Sequence, residues 1–519
     1  MLTPILLNNL VFLSLSKFIS MQKKIFLSVF ILFFTIIYSQ SYERKWGTMI
    51  PVYDQPQQTF SAVRNILSTP FIAEVNPKTG NLFVVTENSN EILEFKSESP
   101  ISKSIYKIPG FTGSSKIEQI KFDSNNNLII SGRTINPDLA TSNSFSTEMI
   151  ATFNTGHSFI AKISNKGELA WFSYFYEIPL HSMSLTIDKN DNIYILNKRF
   201  RGDILDSALF QKNGDAYSRN DFQDAITKFD TNGKHIWSTF YTKDESKINA
   251  IMASSKGIYI YGMHLGDNIS SNYFGTRGSF LETTSNKAKS TSLVFLSKFD
   301  FDGKRLWSTY FGDAVSYVPY PVNSIVKNPT NLTVIGDDAY FITLHNSSLS
   351  KSKQNLATDS VFLSTPPFSI ENHTLTKFSG SGSREWTTYL NTYGVLYKSL
   401  QNEELFISTT VNPNQKNIGT MVTQNAYQTK QSGMQDVLTY SLSLDGKTLK
   451  YATFYGYEGN DIGFSLPSLG GFYTIGFSSN YTQEKSLFAT KKASLKKFKL
   501  YNDNSYVGNF LGYFSKKEK

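Results

Sequence analysis

Short runs in which apolar and polar residues alternate recur along this chain, and several of them end in Lys-Phe-Asp or a close variant. The clearest runs are 224–230 and 294–300, and related runs occupy 159–164 and 374–379. A period of two sends successive side chains to opposite faces and is typical of a half-buried β-strand. Each run leads into a turn rich in Asp, Asn or Gly, as at 230–233, and then into an aromatic stretch. The pattern predicts a β-hairpin at the end of each unit.

The aromatic stretch contains a residue that recurs at a regular interval. It is tryptophan in five copies and tyrosine in one, at Trp46, Trp171, Trp237, Trp307, Trp386 and Tyr451. From the second copy onward the intervals are 66, 70, 79 and 65 residues, which is typical of a repeat array. Because this residue keeps a fixed place in an alternating strand, we expect it to pack between neighbouring units rather than to bind a ligand.

A second predicted hairpin opens every unit. One example runs from 117–123 through a polar turn at 125–127 into 128–132. Seven such openings begin near residues 71, 117, 184, 248, 331, 396 and 462. Two hairpins give four antiparallel strands per unit, which is the composition of a β-propeller blade. The sequence therefore predicts an all-β fold, a seven-bladed β-propeller of four-stranded antiparallel blades.

At the two ends of the chain, one unit lacks a strand and one strand lacks a unit. The seventh unit stops at 509–514, its third strand, while Trp46 stands on a strand that no preceding unit can claim. We expect the Trp46 strand to supply the fourth strand of the last blade and so to close the ring. Such a closure removes strand edges that would otherwise pair with other chains.

The unit resembles the bacterial SBBP repeat, the seven-bladed β-propeller family. The resemblance rests on the pattern Asp-Ala-(hydrophobic)-x-Lys-Phe-Asp-x-x-Gly-x-x-x-Trp-Ser-Thr-Tyr, which is clearest at 224–241 and 295–312. The linker phrase of that family has echoes at 215–217 and 425–429, whereas the unit at 71–113 is short and lacks tryptophan. The resemblance implies an exported scaffold and brings no catalytic motif.

The front of the chain predicts export. A basic start at 22–24, an apolar run at 25–38 and the small residue Ser39 match a secretory signal peptide, with Met21 as the expected true start. Membrane-spanning segments are the alternative, but lysines interrupt the apolar stretches before either reaches about 20 residues. Residues 1–39 are therefore assigned to the signal peptide and residues 40–519 to one propeller domain. We expect it to be periplasmic or extracellular, with no transmembrane anchor after the signal is removed.

The absence of cysteine and the distribution of charge limit the covalent links and the binding partners that can be expected. The chain has no cysteine, so disulfides and a lipid-bearing cysteine are excluded. Its formal charge is +9, but residues 485–519 hold nine lysines against two acids. A basic balance confined to one stretch does not predict a nucleic-acid partner. We interpret that stretch as a solvated surface and expect a monomer.

The ends of the second strands predict a binding site. Alignment of these strands gives one equivalent position, occupied by Asn88, Thr134, Arg199, His264, His345, Val411 and Ser478. There His264 and His345 could meet an anionic ligand, assisted by arginines, or join a metal site. Those arginines are Arg133 and Arg199. No His-x-x-x-His spacing supports a metal, and duplication of the repeat explains two aligned histidines equally well.

Acidic residues occupy the connectors that enter the first strand of several units. They are Glu177, Asp244, Asp313 and Asp461. Around a channel mouth, several carboxylates could bind Ca²⁺, which prefers oxygen ligands. Two of them could instead serve as the acid and base of glycoside chemistry. Solvated loop carboxylates are the plainer interpretation, and no cofactor other than possible Ca²⁺ is predicted.

Recognition is expected in the long loops between the second and third strands, since such loops on a rigid scaffold commonly carry function. Tyr217 and Tyr427 are the candidate ligand contacts there. Nucleophile-elbow, phosphate-loop and zinc-helix motifs are missing. We therefore expect a binding or interaction scaffold for a cell-surface, polysaccharide or protein partner rather than an enzyme. The alternatives are a glycan-acting hydrolase or lyase that uses the acidic rim, and a purely structural envelope protein.

Overall fold

A computed structural model describes residues 41–517 with gaps. The stretches outside the described residues are 1–40, 51–71, 87–90, 109–114, 150–156, 176–183, 201–204, 206–209, 216–221, 267–271, 284–290, 313–315, 318–330, 347–354, 402, 414, 416–417, 419–420, 485, 494, 498, 503–504 and 518–519. The predicted signal peptide and the start at Met21 lie outside them. Within the described part of the chain, no helix has the length and apolar character that crossing a membrane requires.

All regular elements of the described residues are β-strands, and turns and loops connect them. In chain order the strands are β1 (Tyr42–Ile50), β2 (Ile72–Val75), β3 (Leu82–Thr86), β4 (Glu91–Phe95), β5 (Ser102–Lys107), β6 (Lys116–Phe122), β7 (Leu128–Thr134), β8 (His157–Ile163), β9 (Leu169–Phe175), β10 (Ser184–Ile187), β11 (Ile193–Phe200), β12 (Phe222–Phe229), β13 (His235–Phe240), β14 (Lys247–Ala253), β15 (Ile258–Gly266), β16 (Thr291–Phe299), β17 (Arg305–Phe311), β18 (Ser316–Tyr317), β19 (Leu332–Ile335), β20 (Asp338–Asn346), β21 (Glu371–Phe378), β22 (Arg384–Leu390), β23 (Val395–Lys398), β24 (Glu404–Val411), β25 (Asp436–Ser443), β26 (Leu449–Tyr455), β27 (Asn460–Ser468), β28 (Gly471–Tyr481), β29 (Lys499–Asn502) and β30 (Ser505–Lys516).

These strands pair into seven antiparallel sheets, and each sheet is one blade. Blades 1 to 6 use strands that follow one another in the chain, namely β2–β5, β6–β9, β10–β13, β14–β17, β19–β22 and β23–β26. Blade 7 has the order β27, β28, β30 and β1, and β18 and β29 are short additions to blades 5 and 7. We letter the four main strands of every blade A to D in these orders. The prediction of seven four-stranded blades is confirmed.

The blades form a closed ring. The seven A strands, β2, β6, β10, β14, β19, β23 and β27, each contact the next one in this order, and β27 contacts β2. The A strands therefore surround the centre of the ring, and the D strands lie at its periphery. The B–C loops and the connectors between blades leave one face of the ring, called here the upper face. The A–B and C–D turns form the lower face.

The N-terminal strand closes the ring as predicted. β1 pairs antiparallel with β30 from Tyr42 opposite Lys516 to Ile50 opposite Asn509, with one bulge between Arg44 and Trp46. Five consecutive residues of β1, from Trp46 to Ile50, are buried, and a slip by one residue would exchange the side chains that the two faces of the strand bury. The first and last described strands thus share one blade.

Tryptophans tie four of the blades to the next one. In four cases Nε1 of the D-strand indole donates a hydrogen bond to a main-chain carbonyl in the C–D turn of the following blade. The pairs are Trp46 with Ser97 at 2.7 Å, Trp171 with Thr231 at 3.3 Å, Trp307 with Gly380 at 3.0 Å and Trp386 with Leu444 at 3.1 Å. The turn glycine lies against the indole face: a Cβ atom on Gly446, whose φ is +70°, would lie 2.7 Å from the ring of Trp386. The prediction that tryptophan packs between blades is confirmed.

The B–C loops do more than cross the upper face. In blade 3 the carbonyl of Gln211 accepts the N–H of Phe240 in the D strand, and in five other blades a longer part of the loop lies along the D strand of its own blade. In each, a threonine N–H donates to a D-strand carbonyl, and the carbonyl five residues later accepts a D-strand N–H. The threonines are Thr141, Thr276, Thr358, Thr423 and Thr490. Each threonine hydroxyl also bonds the same D-strand residue. These segments, called here the edge clamps, cover strand edges that would otherwise be open to pairing.

Candidate functional site

Strand register confirms that the predicted positions at the ends of the B strands are equivalent. Arg199 lies opposite Gln223, His264 opposite Leu293 and His345 opposite Asn372, at the same place in blades 3, 4 and 5. All three positions lie at the upper face. Asn88, which the alignment also included, lies outside the described residues.

His264 contacts Asp244, which the sequence analysis assigned to a separate candidate site, the acids of the connectors. Its Nε2 lies 3.1 Å from Oδ2 of Asp244, and its Nδ1 lies 2.8 Å from the hydroxyl of Tyr310. Asp244 also meets Lys243, whose Nζ lies 3.1 Å from Oδ1. Burial lowers the pKa of His264, and the Asp244 carboxylate partly offsets this effect. His264 is 1% exposed and Asp244 is 41% exposed, so only the carboxylate side of this pair faces solvent.

The connector before blade 4 is shaped to make this contact. Asp244 has a positive φ of 51°, a conformation that costs a non-glycine residue energy and is kept where surrounding contacts hold it. Its main-chain N–H donates to Oδ2 of Asp215 at 2.6 Å, and Lys243 reaches the same carboxylate at 3.4 Å. Asp215 is in turn held by Gln223, which exchanges two hydrogen bonds with its main chain. The cluster therefore fastens the B–C loop of blade 3 to the connector into blade 4.

His345 lies in a different environment from His264. Its Nε2 lies 3.0 Å from the hydroxyl of Thr374, and its ring meets Phe311 edge-on. Burial, together with nearby His373, lowers the pKa of His345 to about 3, and burial lowers the pKa of His373 to about 4. Both imidazoles are therefore neutral at ordinary pH. Each histidine of the predicted pair is thus engaged with partners of its own.

The predicted arginines are also held within the fold. Nε of Arg133 lies 3.1 Å from Oε1 of Glu118, and this carboxylate is 4% exposed. Because the Arg133 side chain is 27% exposed, part of this side chain still reaches the surface. Arg199 lies close enough to His235 to lower its pKa, as a second cause after burial.

Of the four predicted acids, Asp244 and Asp461 belong to the described residues, whereas Glu177 and Asp313 lie outside them. Asp461 is completely buried. Its Oδ2 accepts the N–H of Tyr457 at 2.6 Å, and its Oδ1 accepts the hydroxyl of Ser478 at 2.5 Å. Asp461 is therefore held by internal donors, as expected for a carboxylate that fixes the local backbone.

A second acid, which the sequence analysis did not single out, approaches Asp461. A Cβ atom on Gly456 would collide with Oδ1 of Asp436 and lie 3.0 Å from Oδ2 of Asp461. Burial raises the pKa of Asp436, although the N–H groups of Ser432 and Gly433 donate to its carboxylate. Asp436 is completely buried, so no substrate can reach this carboxylate pair without opening the blade. In the described residues no group of three or more His, Asp or Glu side chains is arranged to hold a metal ion.

Of the two predicted aromatic contacts, only Tyr427 belongs to the described residues. Tyr217 lies outside the described residues. Tyr427 belongs to the edge clamp of blade 6, where its ring packs on Phe514 at 5.1 Å and lies 6.0 Å from the guanidinium of Arg44. Tyr427 is 38% exposed, so it joins blade 6 to blade 7 and leaves one part of its ring at the surface.

The lower face holds a site that sequence reasoning missed. An open recess of about 780 Å³ lies between blades 6 and 7; we call it the lower recess. Its lining includes Tyr42, Gln401, Glu404, Ser468, Lys516 and Lys517. A second recess of about 550 Å³, the seam recess, lies between blades 7 and 1. Its lining includes Trp46, Ser97, Lys491 and Lys492.

The two recesses adjoin, because Lys45, Tyr513 and Ser515 line both of them. They occur where the two ends of the chain meet, so strands that are far apart in sequence build their walls. One sequence signal pointed to this region: the lysine-rich stretch 485–519, interpreted above as a solvated surface.

Comparisons with known proteins return structures but no sequence relatives. No protein-family profile matches the chain, and no curated protein matches its sequence. A quinohemoprotein alcohol dehydrogenase from Comamonas testosteroni is 12% identical, with 85% of this chain and 66% of the dehydrogenase covered at a TM-score of 0.36. The polysaccharide lyase Uly1 is 9% identical, with 92% and 98% covered at a TM-score of 0.42. At such values neither likeness bears on what this chain binds or does, and the SBBP resemblance stays a prediction.

Proposed function

We propose that this chain is an exported β-propeller binding scaffold that recognises a polysaccharide or protein partner outside the cytoplasm. The observation that carries the proposal is the pair of adjoining recesses on the lower face. Recesses of this size match those that hold small ligands or single units of a polymer. The scaffold around them is rigid, because tryptophan hydrogen bonds join successive blades and edge clamps cover the outer strands.

The chemistry of the lower recess suits a polar ligand. Carboxylate, amide, hydroxyl and ammonium groups make up much of its lining, as at Glu404, Gln401, Ser468 and Lys517. Each can hydrogen-bond a sugar hydroxyl or a peptide group. Export is proposed from the signal-like start of the chain, and a monomeric state from the closure of the ring on itself.

Binding is favoured over glycan cleavage by the state of the acids. Among the described residues, Asp436 and Asp461 approach one another, and both are buried and bonded to internal donors. A glycosidase needs its two carboxyl groups on opposite sides of a reachable sugar bond. Asp244 is partly exposed, yet its carboxylate is occupied by His264 and Lys243.

A binding array tests the proposal. Purified residues 40–519 are applied to arrays of glycans and envelope proteins, beside the variant Gln401→Trp. Gln401 is an exposed residue of an A–B turn on the rim of the lower recess, so the indole should obstruct it. Lys256→Trp is the matched control, since Lys256 is exposed in the A–B turn of blade 4. We expect specific binding that Gln401→Trp weakens and Lys256→Trp retains. A flat array would contradict the proposal and favour a structural envelope role.

A further inference from the structure

We propose that the lower recess and the seam recess form one continuous track that binds an acidic polysaccharide. This inference rests on the proposed binding function and names its ligand class. It also gives a role to the lysine-rich stretch near the C-terminus.

The first step is the length of the track. The recesses share Lys45, Tyr513 and Ser515 as lining residues, so a ligand can pass from one to the other. The path runs from the A–B turns of blades 6 and 7, past the beginning of β1, to the C–D turn of blade 1. A chain of several sugar units fits such a path better than a compact ligand does.

The second step is the charge of the rim. Five exposed lysines line the track, namely Lys45, Lys491, Lys492, Lys516 and Lys517. Three acids line the track: Glu43, Glu98 and Glu404. Glu43 pairs with Lys45, and Glu404 is buried. Lysine therefore predominates at the solvent edge of the track. A row of surface cations attracts a polyanion and speeds its association.

The third step is that the backbone holds these lysines in place. Thr490 is the edge-clamp threonine of blade 7 and donates to the carbonyl of Gly47, which fixes the next two residues, Lys491 and Lys492, on the outer edge. The N–H of Lys517 donates to the carbonyl of Ser41 at 2.9 Å. The lysines thus project from a fixed frame, and less freedom is lost when a ligand binds.

The same positions in other edge clamps show that the lysine pair is particular to blade 7. The two residues after the clamp threonine are Ser142-Asn143, Arg277-Gly278, Asp359-Ser360 and Gln424-Asn425 in blades 2, 4, 5 and 6. None of these carries two cations. The scaffold itself therefore does not require the pair, since four clamps form without it.

The floor of the track favours a saccharide over a nucleic acid. Single-stranded nucleic acids bind on exposed aromatic faces, but Tyr42, Trp46 and Tyr513 are each at most 5% exposed. Glu404 brings a carboxylate to the floor of the lower recess, and the phosphodiester of a nucleic acid has no hydrogen-bond donor to offer it. A carboxylate and neighbouring hydroxyls accept hydrogen bonds from sugar hydroxyls. The combination of an accepting floor and a cationic rim suits a polymer with both hydroxyl and acidic groups.

Binding is measured by interferometry with purified residues 40–519. The probes are polygalacturonate, neutral dextran, polyadenylate and polyglutamate. The variant Lys491→Gln/Lys492→Gln/Lys516→Gln/Lys517→Gln removes four rim charges. Lys256→Gln/Lys304→Gln is the control, because both lysines are exposed on the lower face of blade 4. We expect polygalacturonate to bind best, and the fourfold variant to weaken it by at least roughly tenfold, since exposed charges each contribute modestly. Raising NaCl from about 50 to about 300 mM should weaken it further.

The outcomes separate this inference from the proposed function. Binding of dextran equal to that of polygalacturonate, or binding that the fourfold variant leaves unchanged, would overturn the acidic-polysaccharide track and leave a binding scaffold. Stronger binding of polyadenylate or polyglutamate would also overturn it. Failure on these probes together with a flat array would remove both proposals. Circular dichroism of each variant confirms that the fold is intact before binding is compared.

Discussion

Trp46 and Trp237 allow the hydrogen bond that closes the ring to be measured with a built-in reference. Both indoles are 4% exposed and belong to the same repeat position. Nε1 of Trp46 donates to the carbonyl of Ser97 in blade 1 at 2.7 Å. Nε1 of Trp237, by contrast, has no hydrogen-bond partner among the described residues. Replacing either indole by phenylalanine therefore removes a similar apolar area. At Trp46 the replacement also removes a hydrogen bond, whereas at Trp237 it removes a buried N–H group that has no partner among the described residues.

The expected difference follows from these two environments. Trp46→Phe loses one hydrogen bond, which contributes about 1 kcal/mol net. Trp237→Phe removes a buried N–H that lacks a partner, and such a group costs at least about 1 kcal/mol. The loss of packing is common to both variants and cancels in the comparison. Trp46→Phe should therefore be less stable than Trp237→Phe by about 2 kcal/mol.

Urea unfolding followed by far-ultraviolet circular dichroism measures this difference without relying on tryptophan fluorescence. Equal slopes of the unfolding free energy against urea would show that the two variants expose the same surface. Hydrogen exchange of β1 adds a local measurement, since loss of the Ser97 contact should let this terminal strand open more often. Equal stabilities, or a more stable Trp46→Phe variant, would refute the assignment of the hydrogen bond as a fastener between blades 7 and 1.

Three further predictions concern the edge clamps, the turn glycines and the buried histidines. Thr423→Val removes the hydroxyl that bonds both main-chain groups of its D-strand partner. It should cost about 1 to 2 kcal/mol and speed amide exchange in β26, and unchanged exchange would argue against the clamp. Gly446→Ala and Gly278→Ala both place alanine at positive φ, but only the first meets an indole, whereas the second has open space. Thermal unfolding should therefore show Gly446→Ala to be the less stable by about 1 to 3 kcal/mol, and similar melting would contradict this. Burial holds the pKa of His345 near 3 and that of His373 near 4, against 6.5 ordinarily. Below pH 6.5 the unfolded chain binds more protons, so the free energy of unfolding should fall by about 1.4 kcal/mol per pH unit for each histidine. Urea midpoints compared between about pH 7 and about pH 5 should show this loss, and His345→Gln should remove roughly half of the contribution that His345 and His373 make together.

Much of the fold could be predicted because burial imposes its period on the strands. The A strands begin within two residues of the seven predicted openings, and the orphan Trp46 strand joined the last blade as the count of strands required. The recurrence of tryptophan was informative because each indole fills the same space between blades. Such features depend on local pattern and on the repeat, both of which are visible in one sequence.

The site was harder to predict because its contacts join distant parts of the chain. Alignment placed His264 and Asp244 at the upper face, but their contact depends on the positive φ of Asp244 and on the Asp215 carboxylate behind it. The edge clamps have one weak sequence signal, a threonine that recurs in five loops. This signal does not show that the threonine bonds the D strand, because the partner lies about 30 residues or more away in the chain. The lower recess depends on ring closure, which brings Tyr42 beside Glu404 and the last lysines.

Ring closure by β1 is the central claim, and an engineered disulfide tests it most directly. The chain has no cysteine of its own, and Glu43 lies opposite Ser515 in the β1–β30 ladder, with both residues partly exposed. Residues directly opposite in an antiparallel ladder have Cα atoms about 4.5 to 5.5 Å apart, which is within the range that a disulfide spans. After mild oxidation, mass spectrometry of the Glu43→Cys/Ser515→Cys variant should find an intramolecular bond between these positions. Glu43→Cys/Lys304→Cys, which joins blade 7 to blade 4, should form none. Absence of the bond in the first variant, or its formation only between separate chains, would contradict the closed ring.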